Sequence, residues 1–378
     1  MNNSREEQLL LADAARIHGE AEADTGSLAI RRAVQSGIEQ GGWESWRRRL
    51  QRGSFVGLAA AALVAVILFF LPLLQDSAPQ PEAPRAAVNW GGLEMFKRLY
   101  PFDHEAPTLD SAIRHNYVQM INQSAGAEGY QITLNAVMAD ENRIILLYTA
   151  KVTAGQEIYN ISSARIKDLS TGFYLDSEDQ IGAHDERTGP EENRIYYGRG
   201  VISLDRNKPF PGKLEADFQI SSVDPGKLKD PKTGTIAKDM HYSPRLHISF
   251  KLDPKFKQQP TIIVEPKEDF ILDGIEMTLA KVEISPLLIR SEVVIKNESD
   301  VTWQNRQKTF LAATGDELQS VTKDGTVQLK MSTGLGNYEG YERRFASNLL
   351  DQPESIKLIM RNDNGKEKYE LSIPVWPE

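Results

Sequence analysis

The sequence has no cysteine in 378 residues. That absence excludes a disulfide scaffold, thiolate metal sites, iron–sulfur centres and cysteine nucleophiles together. An excess of basic charge is missing as well: 44 lysines and arginines face 53 aspartates and glutamates, a formal charge of -9. Without a basic face to neutralise phosphates, nucleic acid is excluded as a main partner. The six histidines include no pair at metal-ligand spacing, and His104, His115, His184, His241 and His247 are scattered. No G-x-S-x-G elbow occurs, no S-x-x-K sits in a site context, and the lone GxG at 334–336 lacks a following helix signal. The expectation is a protein that is not an enzyme, with no catalytic residue, no cofactor and no metal ion.

Long apolar runs are missing too, with one exception. Mean hydropathy is -0.42, yet SFVGLAAAALVAVILFFLPLL at 54–74 carries no charge. As a helix it would be about 32 Å long, against a hydrocarbon core of roughly 30 Å. A signal peptide has a shorter apolar region close to the N-terminus, so the segment is expected to be a transmembrane helix, spanning 53–75 with its flanks. Arg47, Arg48, Arg49 and Arg52 precede it, whereas Arg85 is the one cation in the 20 residues after it. The positive-inside rule then puts the N-terminus in the cytoplasm and the C-terminal region outside, with Trp43 and Trp46 at the inner interface.

The cytoplasmic segment 1–52 is patterned as two short helices. SREE at 4–7 has capping-box spacing, and Gly19 would end the first helix after His18. The second, from about 27 to 40, carries Ile30, Val34 and Ile38 at i, i+4, i+8, with Leu28 beside them. Two such helices bury little against each other. Their stripes either lie on the membrane surface or form a binding face for a cytoplasmic partner, read as Leu28, Ile30, Val34 and Ile38.

Beyond the span, prolines 79, 81 and 84 mark a stalk, 76–109, that includes a short helical piece at 90–99. A second helix is expected at 109–122, where Ile113, Tyr117 and Met120 or Ile121 recur at helical spacing. From Gly129 onward the period changes to that of strands: 130–138, 143–152, 195–204, 213–220, 245–252, 261–265, 275–284, 287–296, 307–313, 326–331, 341–347, 355–360 and 367–374. Turn signals every 8–15 residues predict a mainly β chain of two immunoglobulin-like β-sandwich modules, 110–256 and 257–378. An internal echo supports the division, since GYQITLNAV at 129–137 resembles GIEMTLAKV at 274–282. The acidic stretch of Asp176, Glu178, Asp179, Asp185, Glu186, Glu191 and Glu192 reads as a solvated loop, with extracellular calcium as the other reading.

Three segments resemble a family of single-pass membrane proteins of Gram-positive bacteria that bear the domain of unknown function 4179, often followed by the domain of unknown function 5643. SLAIRRAVQSGI at 27–38 is similar to the helix preceding the span in those proteins. Residues 117–152, with NQS at 122–124 and GYQITL at 129–134, look like the start of their first ectodomain, and 273–286 like the core of the second module. The resemblance implies an anti-sigma factor whose cytoplasmic helices hold an extracytoplasmic-function sigma factor while the ectodomain senses the envelope. The zinc-binding anti-sigma signature, a histidine followed by paired cysteines, is not present here. The alternative function is a cell-surface binding or adhesion module for which the N-terminus is only an anchor.

Overall fold

The computed structural model describes residues 88–184, 193–227, 239–272, 274–297, 299, 301–302, 304, 316–336, 339–362 and 369–376. The segment 54–74, the stripe Leu28, Ile30, Val34 and Ile38, the residues Trp43, Trp46, Arg47, Arg48, Arg49 and Arg52, and the strand expected at 307–313 lie outside the described residues. Among the described residues, no helix is long and apolar enough to cross a membrane.

The described chain opens with a 3-10 helix, Gly91–Phe102, and a helix α1, Ala106–Arg114. Trp90, Leu93, Phe96 and Leu99 recur at a spacing of three, which is one face of a helix with three residues per turn, and all four are buried in the core of the first sandwich. The helix expected at 109–122 stops at Arg114. Asn116 takes the left-handed conformation at φ 54°, the Asn116 N–H donates to the Ile113 carbonyl at 3.1 Å, and the Tyr117 N–H donates to the Ala112 carbonyl at 2.7 Å. These two bonds form a Schellman cap. Beyond the cap the chain is extended and enters a strand.

That strand is β1 (Gln119–Ala127), and it leads to β2 (Tyr130–Ala139), β3 (Arg143–Val152), β4 (Glu157–Asp168), β5 (Ser177–His184), β6 (Ile195–Ser203), β7 (Lys213–Val223), β8 (His241–Tyr242) and β9 (Leu246–Lys251). One sheet has the order β1-β2-β3-β6-β5, and the other joins β4 to β7, which also pairs with β8 and β9. β3 is buried at nine of its ten positions. Its apolar run is explained by cover on two sides: Phe218, Ile248 and their neighbours on the second sheet, and the helical segment above, where Phe96 meets Tyr197 of β6 edge to face at 5.9 Å.

The remaining strands are β10 (Ile262–Val264), β11 (Glu268–Leu272), β12 (Ile275–Ile284), β13 (Ile289–Ile295), β14 (Glu317–Thr322), β15 (Gly325–Gly336), β16 (Gly340–Phe345), β17 (Ser355–Asn362) and β18 (Tyr369–Trp376). They surround a second apolar core drawn from Val264 to Val375. Their order repeats that of the first set: β11-β12-β13-β16-β15 matches β1-β2-β3-β6-β5, and β14-β17-β18 matches β4-β7-β9. Here the long β15 pairs with both β14 and β16 and so joins the two halves. The sequence echo lies on equivalent strands, β2 and β12. Each carries a bulge, between Leu134 and Ala136 and between Leu279 and Lys281, at the same offset of 145 residues (279 less 134).

The sequence pattern did not reveal β1, β4, β5, β8, β11 or β14. Glycine in β5 and β6 has a steric reason. Gly198 stands opposite Tyr148, and a Cβ there would lie 2.2 Å from the tyrosine ring, whereas a Cβ on Gly200 would be 3.8 Å away. Gly198→Ala is expected to lose about 1–3 kcal/mol through overpacking, while Gly200→Ala stays within about 0.5 kcal/mol of wild type. Urea unfolding of the purified chain checks this, and equal losses at the two positions would refute it.

Candidate functional site

Like ends of the two sandwiches meet in a seam of buried polar groups. Asp140, in the β2–β3 turn, is its hub. One carboxylate oxygen accepts the N–H groups of Asn142 (2.8 Å) and Arg143 (2.9 Å), and the other accepts the Ser285 hydroxyl (2.7 Å) and the Leu287 N–H (2.8 Å). Ser285 occupies the equivalent turn of the second sandwich. Leu287 of that turn is fully buried and belongs to the core of the first sandwich.

The segment leading in from residue 90 is held between both sandwiches. Glu105, at the head of α1, forms a bidentate pair with Arg143 at 2.8 and 2.7 Å, both groups being buried. Arg199 of β6 donates to Asp103 at 2.9 Å and to Asp179 at 2.8 Å. Toward the second sandwich, the Ser347 N–H donates to the Thr108 hydroxyl at 2.8 Å, and Asp351 accepts from Arg114 at 2.7 Å and lies 3.0 Å from His115. Arg344 pairs with Glu178, which also takes the Ser203 hydroxyl, and Arg206 pairs with Glu283 at 2.5 Å. Burial pushes the Glu105 carboxyl up, but its pair with Arg143 outweighs this and holds it below the usual range. At Asp103 burial prevails over Arg199, so that carboxyl is raised.

Beside the seam lies a cavity of about 650 Å³, within the usual size range for a ligand site. The β4–β5 loop supplies Phe173, Tyr174, Leu175 and Asp176, the β6–β7 loop supplies Leu204 to Arg206 and Lys208 to Pro211, and the β2–β3 turn supplies Glu141. The β4–β5 loop is braced from below. Asp168 accepts the Ser170 N–H at 2.9 Å, the Ser170 hydroxyl at 2.7 Å and the Thr171 hydroxyl at 3.2 Å, and these bonds outweigh its partial burial to keep the carboxyl low. The Tyr174 hydroxyl donates to Asp217 at 2.7 Å, and the Arg165 guanidinium lies over the Tyr174 ring at 4.0 Å. Phe173, by contrast, is 76 % exposed.

Of the acidic stretch, Glu178 and Asp179 are bonded to arginines and Asp176 lines the cavity; Asp185, Glu186, Glu191 and Glu192 lie outside the described residues. Among the described residues, no group of three or more potential ligands is placed to hold a metal ion. His247 stands on the solvent side of β9, 3.5 Å from Glu215. The cavity and the seam had no signal in sequence spacing, because their residues come from segments up to 239 positions apart, as Thr108 and Ser347 are.

No protein-family model matches the chain, and no curated protein sequence matches it. Among solved structures, the crystal structure of a conserved domain protein from Bacillus anthracis is similar at 14 % identity over 69 % of this chain and 91 % of that chain, with a TM-score of 0.40.

The seam makes a double-mutant prediction. Glu105→Gln leaves the Arg143 charge buried without its partner and is expected to cost about 3–5 kcal/mol, while Glu105→Leu combined with Arg143→Met recovers most of that loss. The pH dependence has a definite sign. A carboxyl lowered by folding stabilises fully above its unfolded value of about 4.3, and that stability is lost as pH falls through the folded value. The double variant should therefore show a flatter acid limb of stability than wild type. A single variant as stable as the double would show that the pair is not coupled.

Proposed function

We propose that the chain is a single-pass membrane regulator, an anti-sigma factor that holds an extracytoplasmic-function sigma factor through Leu28, Ile30, Val34 and Ile38 and senses the envelope with its ectodomain, residues 76–378. The observation that carries the reading is the way one connection serves both sides. The segment 90–115, which comes after the apolar run and includes the end of the stalk, is bonded to the first sandwich through the buried Glu105–Arg143 pair and to the second through the buried Thr108–Ser347 contact. A change in how the sandwiches sit on that segment has a direct route to the chain entering the membrane.

In this reading the two sandwiches are extracellular and immunoglobulin-like. Taking β2-β3-β6-β5 as A-B-E-D and β4-β7-β9 as C-F-G gives the strand order of that fold, and β12-β13-β16-β15 with β14-β17-β18 gives it again. In each, one further strand, β1 or β11, extends the first sheet. The charge distribution also fits the topology. Residues 1–52 carry eight acids and eight arginines, so the whole excess of negative charge lies beyond them.

The test is co-purification. Full-length chain drawn from its own cells in non-ionic detergent is expected to bring down a sigma factor, and Ile30→Asp with Val34→Asp should reduce the recovery at least about tenfold by placing charge on the apolar face. The same variant should derepress one regulon. Absence of any sigma factor, together with an unchanged transcriptome on deletion, would falsify the regulatory reading and leave adhesion.

A further inference from the structure

The two sandwiches are topological copies, and the cavity lies where the copies differ. The β6–β7 and β16–β17 loops have equal lengths, nine residues each (204–212 and 346–354). Between β4 and β5 stand eight residues (169–176), whereas β14 and β15 are joined by only two (323–324). The added residues supply the wall of the cavity and its exposed ring. Phe173 contributes nothing to either apolar core, so burial in the fold does not account for it.

The chemistry of the lining narrows what would bind. Phe173, Tyr174, Leu175, Leu204 and Phe210 provide apolar and aromatic surface, and Glu141, Asp168, Asp176 and Asp205 provide carboxylates. The two cations are already engaged, Arg206 with Glu283 at 2.5 Å and Lys208 with Asp205 at 3.7 Å. An anion would meet carboxylates here, and a metal ion lacks a grouped ligand set. Cations already sit on the cavity's other rings, Arg165 on Tyr174 at 4.0 Å and Lys257 on Phe210 at 5.4 Å. Phe173 offers the same kind of ring face, open to solvent, in the loop that carries the exposed Asp176.

We propose that this cavity binds a cationic peptide, with a lysine or arginine side chain between the Phe173 ring and the Asp176 carboxylate and adjoining apolar residues against Leu204 and Phe210. A ring face and a carboxylate together hold an ammonium or guanidinium group better than either does alone. The net negative charge beyond residue 52 favours the approach of such a ligand. The proposal deepens the sensing role and rests on it, because two cavity residues also bond toward the second sandwich: Glu141 accepts the Thr261 N–H at 3.1 Å and Arg206 donates to Glu283 at 2.5 Å.

The experiment is a ligand-observed NMR titration of full-length chain in non-ionic detergent with acetyl-Lys-Phe-Lys-amide. Comparators are acetyl-Glu-Phe-Glu-amide and an N-acetylglucosamine trimer. The lysine peptide is expected to bind more tightly than both. Phe173→Ala and Asp176→Asn, each at an exposed position, should each weaken it about fivefold, and raising the salt should weaken it further. Equal binding by both variants and wild type, or tighter binding of either comparator, overturns the proposal. Sigma-factor recovery is scored separately: its loss with peptide binding intact sinks the regulatory reading alone, and peptide failure with recovery intact sinks the cavity assignment alone.

Discussion

The carboxylate of Asp140 is the point on which the rest of the described structure depends. It accepts four hydrogen bonds, two from its own turn and two from the matching turn of the second sandwich. Its first pair fixes the β2–β3 turn, and so delivers the Arg143 guanidinium to Glu105 and fastens α1. Its second pair draws in the turn at 285–288 and puts Leu287 into the first core. Buried charges of this kind add little net stability compared with apolar substitutes, since desolvation offsets most of the attraction. Their contribution is geometry: a bidentate pair and a four-donor carboxylate are satisfied in one arrangement, and a shifted one leaves buried groups without partners.

The repeated strand order explains why the seam falls where it does. Asp140 and Ser285 are equivalent positions in the two copies, and each accepts or donates within the same local frame: the Asp140 N–H donates to the Arg143 carbonyl at 3.0 Å and the Ser285 N–H to the Leu288 carbonyl at 2.9 Å. The copies thus meet through equivalent turns, and at the equivalent positions a carboxylate in one turn and a hydroxyl in the other form an acceptor–donor pair. Two carboxylates facing each other would repel. Elsewhere the copies diverge by loop length in both directions: the β4–β5 loop is longer in the first copy (169–176 against 323–324), and the β13–β14 connection is longer in the second (296–316 against 153–156).

Much of the fold was legible in the sequence, and the parts that were not share physical causes. Strands with strict alternation, such as β9, or with a full apolar run, such as β3, stand out because burial on one or two faces dictates their composition. β1 and β5 are mostly polar or small residues, QMINQSAGA and SEDQIGAH, with little burial, so no period marks them. The helical reading of 109–122 failed at one residue. Asn116 accepts the left-handed conformation that ends α1, and beyond it Tyr117, Met120 and Ile121 matched helical spacing by coincidence. The spacing of three from Trp90 to Leu99 was present in the sequence, and it distinguishes a 3-10 helix from an α-helix once the period is counted. The seam and cavity arise from tertiary proximity alone, which local pattern does not encode.

The cavity and the seam are not independent. Glu141 comes directly after Asp140, and its carboxylate accepts the N–H and hydroxyl of Thr261, at 3.1 and 2.9 Å, in the connection between the two sandwiches. Arg206 reaches from the β6–β7 loop to Glu283 in β12. An occupant of the cavity that competes for either group weakens a bond between the sandwiches, and one that leaves both bonds intact stiffens the loops that make them. Linkage requires the converse with equal magnitude: a change in docking of the second sandwich alters affinity in the cavity by the same factor. Because the entering segment is bonded to both sandwiches, its position is set by the same balance, and a coupling of only about 1–3 kcal/mol is enough to shift the population several-fold.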